Sequence, residues 1–324
     1  MFNILYLSSI ILGSIGAWAV ASLGSRFSLL DISNHRSSHD GVVPKGGGIG
    51  LLAAFLLASA ALGLPPLFWI FIGSISLFSL YGDRKEISAK GRLCMQFAAG
   101  FGLLLGLFVC EDRSYWIYLL IPFLTVFVVG TANCYNFMDG IDGIAGITGI
   151  IGFGLLAAFN VLSGGDSRFS VLSICIALSC LGFLPFNMPK AKVFMGDVGS
   201  ILLGFVFAAI VVMLSKTFLD FVCLAGFLFP FYADELTTMA IRIKDDENLL
   251  KPHRRHLYQV LANEMGVAHW KVSVGYGILQ LVVGLSILSA RPFGILSVLI
   301  LLVIYFIGFV WANYVVRAKI SRSF

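Results

Sequence analysis

A chain crosses a bilayer as helix only where roughly 17–25 consecutive residues carry little or no charge, and about eleven segments here meet or approach that condition. They are 3–24, 47–64, 66–82, 93–110, 115–134, 144–163, 168–186, 199–214, 217–241, 272–289 and 293–314. Helix breakers mark several joints: Pro65-Pro66, Gly164-Gly165 and Arg291-Pro292. Lipid offers an isolated strand no hydrogen-bond partners, so each segment is predicted as a helix. Of the 324 residues, 59% are hydrophobic and only 12% charged, against about a quarter charged in a soluble domain. A soluble monomer is excluded, and no nucleic-acid partner is expected. The 35 glycines are spread through apolar runs, as close helix packing in lipid requires. The expected fold is an all-α polytopic integral membrane protein, with residues 1–324 forming a single membrane-embedded domain.

The six cysteines lie in or beside apolar runs and form no CxxC pair, so neither a disulfide nor a metal site is expected from them. The chain is apolar from Phe2 and has no Lys or Arg before Arg26. "AVAS" (19–22) resembles a signal-peptidase site, but the basic leader is missing, which predicts a retained first span.

Alternate loops share the bases unequally. Every Lys and Arg falls on one set of loops except Arg113, Arg168, Lys216 and Arg291. Basic loops stay cytoplasmic, which predicts a periplasmic N-terminus and a cytoplasmic C-terminus. Asp83, Glu86, Asp139, Asp142, Asp197, Asp234 and Glu235 then all lie at or near cytoplasmic span ends. Separate cytoplasmic loops thus bring carboxylates to one membrane face, and no base in "NCYNFMDGIDGIAG" neutralises Asp139 and Asp142, which points to function.

In "NFMDGIDG", Asp139 and Asp142 are three apart and share a face if the turn is helical. Gly140 and Gly143 permit a tight turn and close approach of a ligand; a solvated Asp-Gly turn is the plainer alternative. In "PKAKVFMGDVGS", Asp197 sits between two glycines just before a span. It suits a hard-cation ligand, since Mg²⁺ takes one or two carboxylates plus phosphate oxygens, and equally a helix N-cap. "KPHRRHLYQ" packs cationic and titratable groups from Lys251 to His256, which suits a diphosphate or anionic lipid. "DISNHRSSHDGVVPKGGGIG" ends in a glycine run whose backbone N–H groups, with Lys45, could cradle a phosphate. "YGDRKEISAKGRL" leaves the membrane with Asp83 first. Carboxylates, a basic His loop and a Gly-Lys loop on one face fit Mg²⁺-dependent chemistry on a phosphorylated substrate.

"PKGGGIG", "NCYNFMDGIDGIAG", "PKAKVFMGDVGS" and "HRRHLYQ", in this order, resemble the signatures of the polyprenyl-phosphate N-acetylhexosamine-1-phosphate transferases. These enzymes initiate O-antigen, enterobacterial common antigen and teichoic acid synthesis, and the MurNAc-pentapeptide translocase is a cousin. The resemblance implies a multi-pass protein of the bacterial inner (cytoplasmic) membrane with its active site on the cytoplasmic face. It implies that undecaprenyl phosphate attacks a UDP-N-acetylhexosamine, giving undecaprenyl-diphospho-sugar and UMP. It implies Mg²⁺, with Mn²⁺ as a substitute, held by Asp197. Asp83, Asp139 and Asp197 would be the catalytic acids. Gly140, Asp142 and Phe194 would line the uracil pocket, with Asn136 and Asn187 around the nucleoside and metal. His253, Arg254 and His256 would hold the sugar-phosphate side, and Lys45 and Lys90 would face the lipid phosphate. Whether the chain forms a homodimer is left open.

Two departures stand out. The translocase cousin has three successive histidines in its last loop; His253-Arg254-Arg255-His256 looks like the O-antigen and capsule initiators. The family's Asp-Asp pair reads Gly82-Asp83 here, so its first carboxylate is absent. A catalytically weakened homologue acting as an assembly scaffold is therefore one alternative. A secondary transporter is another, although its coupling acids belong near the bilayer midplane.

Overall fold

The computed structural model describes residues 2–24, 29–32, 38, 41–85, 87–110, 118–248 and 253–321. Lys251, part of the basic loop read from the sequence, lies outside them. The described residues are helical nearly throughout. Helix α1 is Phe2–Leu23, α2 Ile49–Ala61, α3 Pro66–Arg84 and α4 Ala89–Cys110. Then come α5 (Ile121–Phe137), α6 (Ile144–Leu162), α7 (Ser167–Asn187) and α8 (Asp197–Leu214). Helices α9 (Phe218–Ala225), α10 (Phe229–Lys244), α11 (His269–Ala290) and α12 (Ile295–Ser321) complete the bundle.

Among the described residues, eight helices are long and apolar enough to cross a membrane, and α2 and α5 are shorter apolar helices. This is a multi-pass membrane protein. The segment 217–241 is not one continuous α-helix. It divides into α9, a 3₁₀ turn at Gly226–Leu228, and α10. Pro230 lies in the first turn of α10, where its missing N–H costs nothing, whereas inside a longer helix it would remove a bond. Among the described residues of the loop before α2, two short strands form that its polar sequence does not predict. Leu30–Ile32 (β1) and Val42–Pro44 (β2) pair antiparallel, with Leu30 opposite Pro44.

Helix α8 is the core. Every residue from Val198 to Val212 is buried, as expected of a helix that is apolar all round. Small residues let its neighbours close in. A side chain at Gly204 would meet the Ala132 Cα of α5 at 2.5 Å, and one at Gly16 would meet the Gly50 Cα across α1 and α2 at 2.4 Å. Helix α12, by contrast, buries only Val298, Phe309 and Asn313, and turns the rest of its apolar surface outward, as a lipid-facing span does.

The chain direction decides where the polar loops gather. Helices α3, α5 and α7 end, and α6, α8 and α11 begin, at the same end of the bundle. That end collects Lys45, Asp83, the 136–143 turn, the 187–197 loop and the 253–256 loop.

Candidate active site

The cluster is built around the start of α8. Gly196 precedes it with φ +72, which a side chain rarely adopts, and an added Cβ would meet the Gly46 nitrogen at 2.7 Å. Asp197 is thus the first helical residue rather than the cap, and its carboxylate is directed elsewhere. Oδ2 accepts from Arg92 Nη1 at 3.0 Å and Oδ1 from Asn136 Nδ2 at 2.9 Å. Asn136 Nδ2 also donates to Ser200 Oγ at 2.8 Å. The Asp197 backbone N–H donates to Asp83 Oδ2 at 3.1 Å. The other Asp83 oxygen lies 3.4 Å from Lys45 Nζ. Three distant loops and the start of α4 therefore converge on two carboxylates.

Asp139 is half-buried beside them. Burial, followed by the negative charges of Asp197, Asp83 and Asp142, pushes its carboxyl well above the ordinary range. A cation among these acids would relieve that repulsion. No three His, Cys, Asp or Glu among the described residues form a preformed metal cage. The oxygen donors present nevertheless suit Mg²⁺, which completes its shell with substrate phosphates and water.

Asp142 is buried, and its Oδ2 lies 3.3 Å from His269 Nδ1 at the start of α11. Ser273 Oγ donates to its carbonyl at 2.8 Å. Asn187 is buried with both amide atoms engaged: Oδ1 accepts the Gly143 N–H at 2.8 Å and Nδ2 donates to Val193 O at 3.0 Å. It ties the 139–143 turn to the 188–196 loop. Gly140 makes room for a ring, since an added Cβ would meet the Tyr258 hydroxyl at 2.2 Å. That hydroxyl donates to Phe137 O at 2.9 Å, so the last loop is pinned to the Asp139 turn.

The glycine run does not present a backbone cradle. The N–H groups of Gly46 and Gly47 donate to Phe194 O at 3.1 and 2.9 Å, and that of Gly48 to Met195 O at 2.9 Å. Its glycines serve packing instead: a side chain at Gly48 would meet the Gly199 Cα at 2.4 Å. Lys45 and Phe194 pair as a short parallel bridge, which fixes the lysine beside Asp83.

The last loop hangs on Asp234 of α10. Its carboxylate accepts the Leu257 N–H at 2.8 Å, the Tyr258 N–H at 3.2 Å and the Tyr276 hydroxyl at 2.6 Å. His256 is buried between Asp234 and Glu235, with ring nitrogens 3.7 and 3.6 Å from their oxygens. His253 is half-buried, its ring centre 4.9 Å from that of His256. Burial, then the nearby His256 and Arg242 charges, lowers His253 to about 4. Arg255 turns back onto Asp245 at 2.6 Å and onto Glu247. Arg254 is half-buried.

Arg92 and His269 are the residues that sequence reasoning missed, and Asp234, read only as one of the acids at the rim, is the anchor of the last loop. Lys90 is exposed, and Arg92, two residues along α4, is the one that reaches Asp197. Two helical positions point roughly 200° apart, so one base of the pair must face away; sequence does not say which. His269 is a lone histidine 127 residues from Asp142, and no spacing rule links them.

Residues 66–215 match glycosyl transferase family 4. This stretch is a glycosyl transferase family 4 domain. The chain is 28% identical over 199 residues to a probable undecaprenyl-phosphate N-acetylglucosaminyl 1-phosphate transferase of Bacillus subtilis, covering 57% of this chain and 55% of that one. It is 29% identical over 270 residues to the undecaprenyl-phosphate alpha-N-acetylglucosaminyl 1-phosphate transferase of Thermotoga maritima, covering 79% and 81%. It is 36% identical over 172 residues to a phospho-N-acetylmuramoyl-pentapeptide-transferase of Staphylococcus saprophyticus, covering 51% and 52%. The match thus spans about half the length of the first and third relatives. The family 4 domain contains Asp83, Lys90, Asn136, Asp139, Gly140, Asp142, Asn187, Phe194 and Asp197, while Lys45 and the 253–256 loop lie outside it.

Proposed function

We propose that this protein transfers N-acetylhexosamine 1-phosphate from a UDP-sugar to undecaprenyl phosphate and so initiates a cell-surface polysaccharide such as O-antigen. An oxygen of the lipid phosphate attacks the β-phosphorus of the UDP-sugar. The bond from that phosphorus to the bridging oxygen breaks, and UMP leaves with the electron pair. The observation that carries the reading is the convergence of Asp83, Asp139 and Asp197 with Lys45 and Arg92 at one end of a family 4 domain. The names of the relatives support the lipid acceptor and the sugar-phosphate donor.

Asp197 and Asp139 would hold Mg²⁺, or Mn²⁺ in its place, and the ion would neutralise charge on the diphosphate during transfer. Lys45 and Arg92 bind and align phosphate oxygens. Asp83, fixed between Lys45 and the Asp197 N–H, receives or orients the acceptor. The lipid phosphate has a second pKa near 6, so one carboxylate suffices at neutral pH. Asp142 and Gly140 border the uracil side, with Phe194 on the loop behind. Arg254 and His253 face the sugar phosphate. The bulk of the bases lies at this end of the bundle, which supports a cytoplasmic site and a periplasmic N-terminus in the bacterial inner membrane. The carboxylates sit at a rim and belong to a transferase domain, which favours transfer over transport.

Gly82 is the one observation favouring a weakened homologue that acts as a scaffold. One assay separates the readings. Purified protein is incubated with a short-chain polyprenyl phosphate and a panel of UDP-N-acetylhexosamines, with and without Mg²⁺, and UMP is measured. Metal-dependent UMP release that requires the lipid phosphate supports the transferase; no UMP with any donor supports the scaffold.

A further inference from the structure

At the opposite end of the bundle, α6 and α8 finish and α7 and α9 begin. Cations are scarce there. The loop alternation gives that end only Arg113, Arg168, Lys216 and Arg291, and Arg113 lies outside the described residues. The other three come from connections far apart in the chain, yet all three line one cavity of about 290 Å³. A side of the protein that holds so few bases, by the rule that keeps Lys and Arg cytoplasmic, has drawn them to one place.

The cavity is built rather than incidental. Asp166 holds Arg168 at 2.6 Å, and Arg168 Nη1 also donates to Gly63 O at 3.2 Å. Asp220, 5% exposed, accepts from Arg291 Nη2 at 2.8 Å, and is itself fixed by a reciprocal cap with Thr217. The Arg291 guanidinium lies 4.4 Å over the Phe159 ring. Both forks are therefore oriented before any ligand arrives, which lowers the cost of ordering them on binding. Their charges are balanced by Asp166 and Asp220. Lys216 is not balanced: it is exposed and makes no hydrogen bond or ion pair among the described residues. Ser163 Oγ, also at this cavity, is buried without a hydrogen-bond partner. Phe159 and Phe169 supply an apolar wall.

One surplus positive charge, two fixed guanidinium groups and an unpaired hydroxyl beside an apolar wall suit a tetrahedral oxyanion. We propose that this cavity binds a phosphate group, carried by a lipid headgroup or free in solution, at a site separate from the transfer site. The binding does not depend on the reaction proposed above.

The test uses the full chain in detergent, by native mass spectrometry. Phosphatidylglycerol, diacylglycerol with the same acyl chains, and inorganic phosphate are titrated separately and in competition. Wild type is expected to retain a phosphate ligand, and phosphatidylglycerol over diacylglycerol by about tenfold if the lipid is the source. Lys216→Ala is expected to lower that retention by about tenfold, the low end for a charge-assisted hydrogen bond. UMP release and melting temperature should stay unchanged, and Lys216→Gln replaces Lys216→Ala if the latter melts early. Retained lipid that inorganic phosphate does not displace assigns the headgroup; displacement, or phosphate binding without lipid, assigns the free ion. Equal retention of phosphatidylglycerol and diacylglycerol without phosphate binding overturns the proposal, and so does a Lys216 variant that binds like wild type.

Discussion

The backbone N–H of Asp197 donates to Asp83 Oδ2 across 3.1 Å, although 114 residues separate the two. The end of α3 is thereby locked to the start of α8, and Lys45 holds the other Asp83 oxygen from a third loop. Asp83 is a fixed carboxylate, and an amide in its place would set an N–H against either a lysine or a backbone donor. Asp83→Asn should lower turnover by about 10² or more, the low end for loss of a general base. The Gly82 position accepts a side chain, since an added Cβ would lie 3.6 Å from Ile87 and 4.0 Å from the Arg92 Cδ. Gly82→Asp should fold, compete with Asp197 for Arg92, and shift the acid limb of the pH–rate profile upward through a second like charge. Rates of both variants from pH 5.5 to 9 at saturating UDP-sugar test this; unchanged rates for Asp83→Asn remove this loop as the base.

Arg92 and Lys90 should separate cleanly. Arg92 reaches Asp197 at 3.0 Å, and Lys90 is exposed. Arg92→Ala should cost at least about tenfold more turnover than Lys90→Ala, the low end for a hydrogen bond to a charged group. Equal losses would mean that α4 turns when substrate binds.

Asp197→Asn keeps the shape of the side chain and its contact with Asn136, but removes the charge that would hold the metal. Turnover should be abolished, with the melting temperature close to wild type and no rescue by tenfold more Mg²⁺. Near-normal turnover would take Asp197 out of the metal role.

Arg254 and Arg255 should fail in different assays. Arg255 is paired with Asp245 and Glu247, so Arg255→Ala should lower the melting temperature more than turnover. Arg254→Ala should lower turnover more than stability, by about 1.5 kcal/mol or more in activation energy. Thermal unfolding and steady-state rates on both proteins provide the comparison.

His253 gives the stability a pH signature. Its folded pKa of about 4 lies below the ordinary 6.5, so between those values the unfolded chain binds a proton that the folded chain does not. Stability carried by neutral His253 is therefore complete above pH 6.5 and is lost as pH falls toward 4. His253→Asn should flatten the fall in melting temperature across that window while leaving the melting temperature at pH 8 nearly unchanged. An identical fall in both proteins would show that other groups set the acid limb.

The sequence by itself determined the class of structure. Long uncharged segments admit only helices in lipid, and the ends of α1, α3, α6, α7 and α11 fall within a few residues of the breakers and charges that bound them. It also brought Asp83, Asp139 and Asp197 to one end, because helices that cross in alternate directions return their odd connections to the same side. Asp139 and Asp142, three apart, are the plainest case. Partnership across the bundle was decided only by tertiary structure. Which of Lys90 and Arg92 faces Asp197 depends on the rotation of α4, which its neighbours fix. That His269 meets Asp142, that Asp234 anchors the last loop, and that Arg168, Lys216 and Arg291 share one cavity depends on which helices lie side by side. The glycine run shows the same limit. Its backbone donors read as free in the sequence, but the β-bridge from Lys45 to Phe194 engages them. A local pattern records what a residue can do; which partner it meets is set by packing contacts that no local pattern contains.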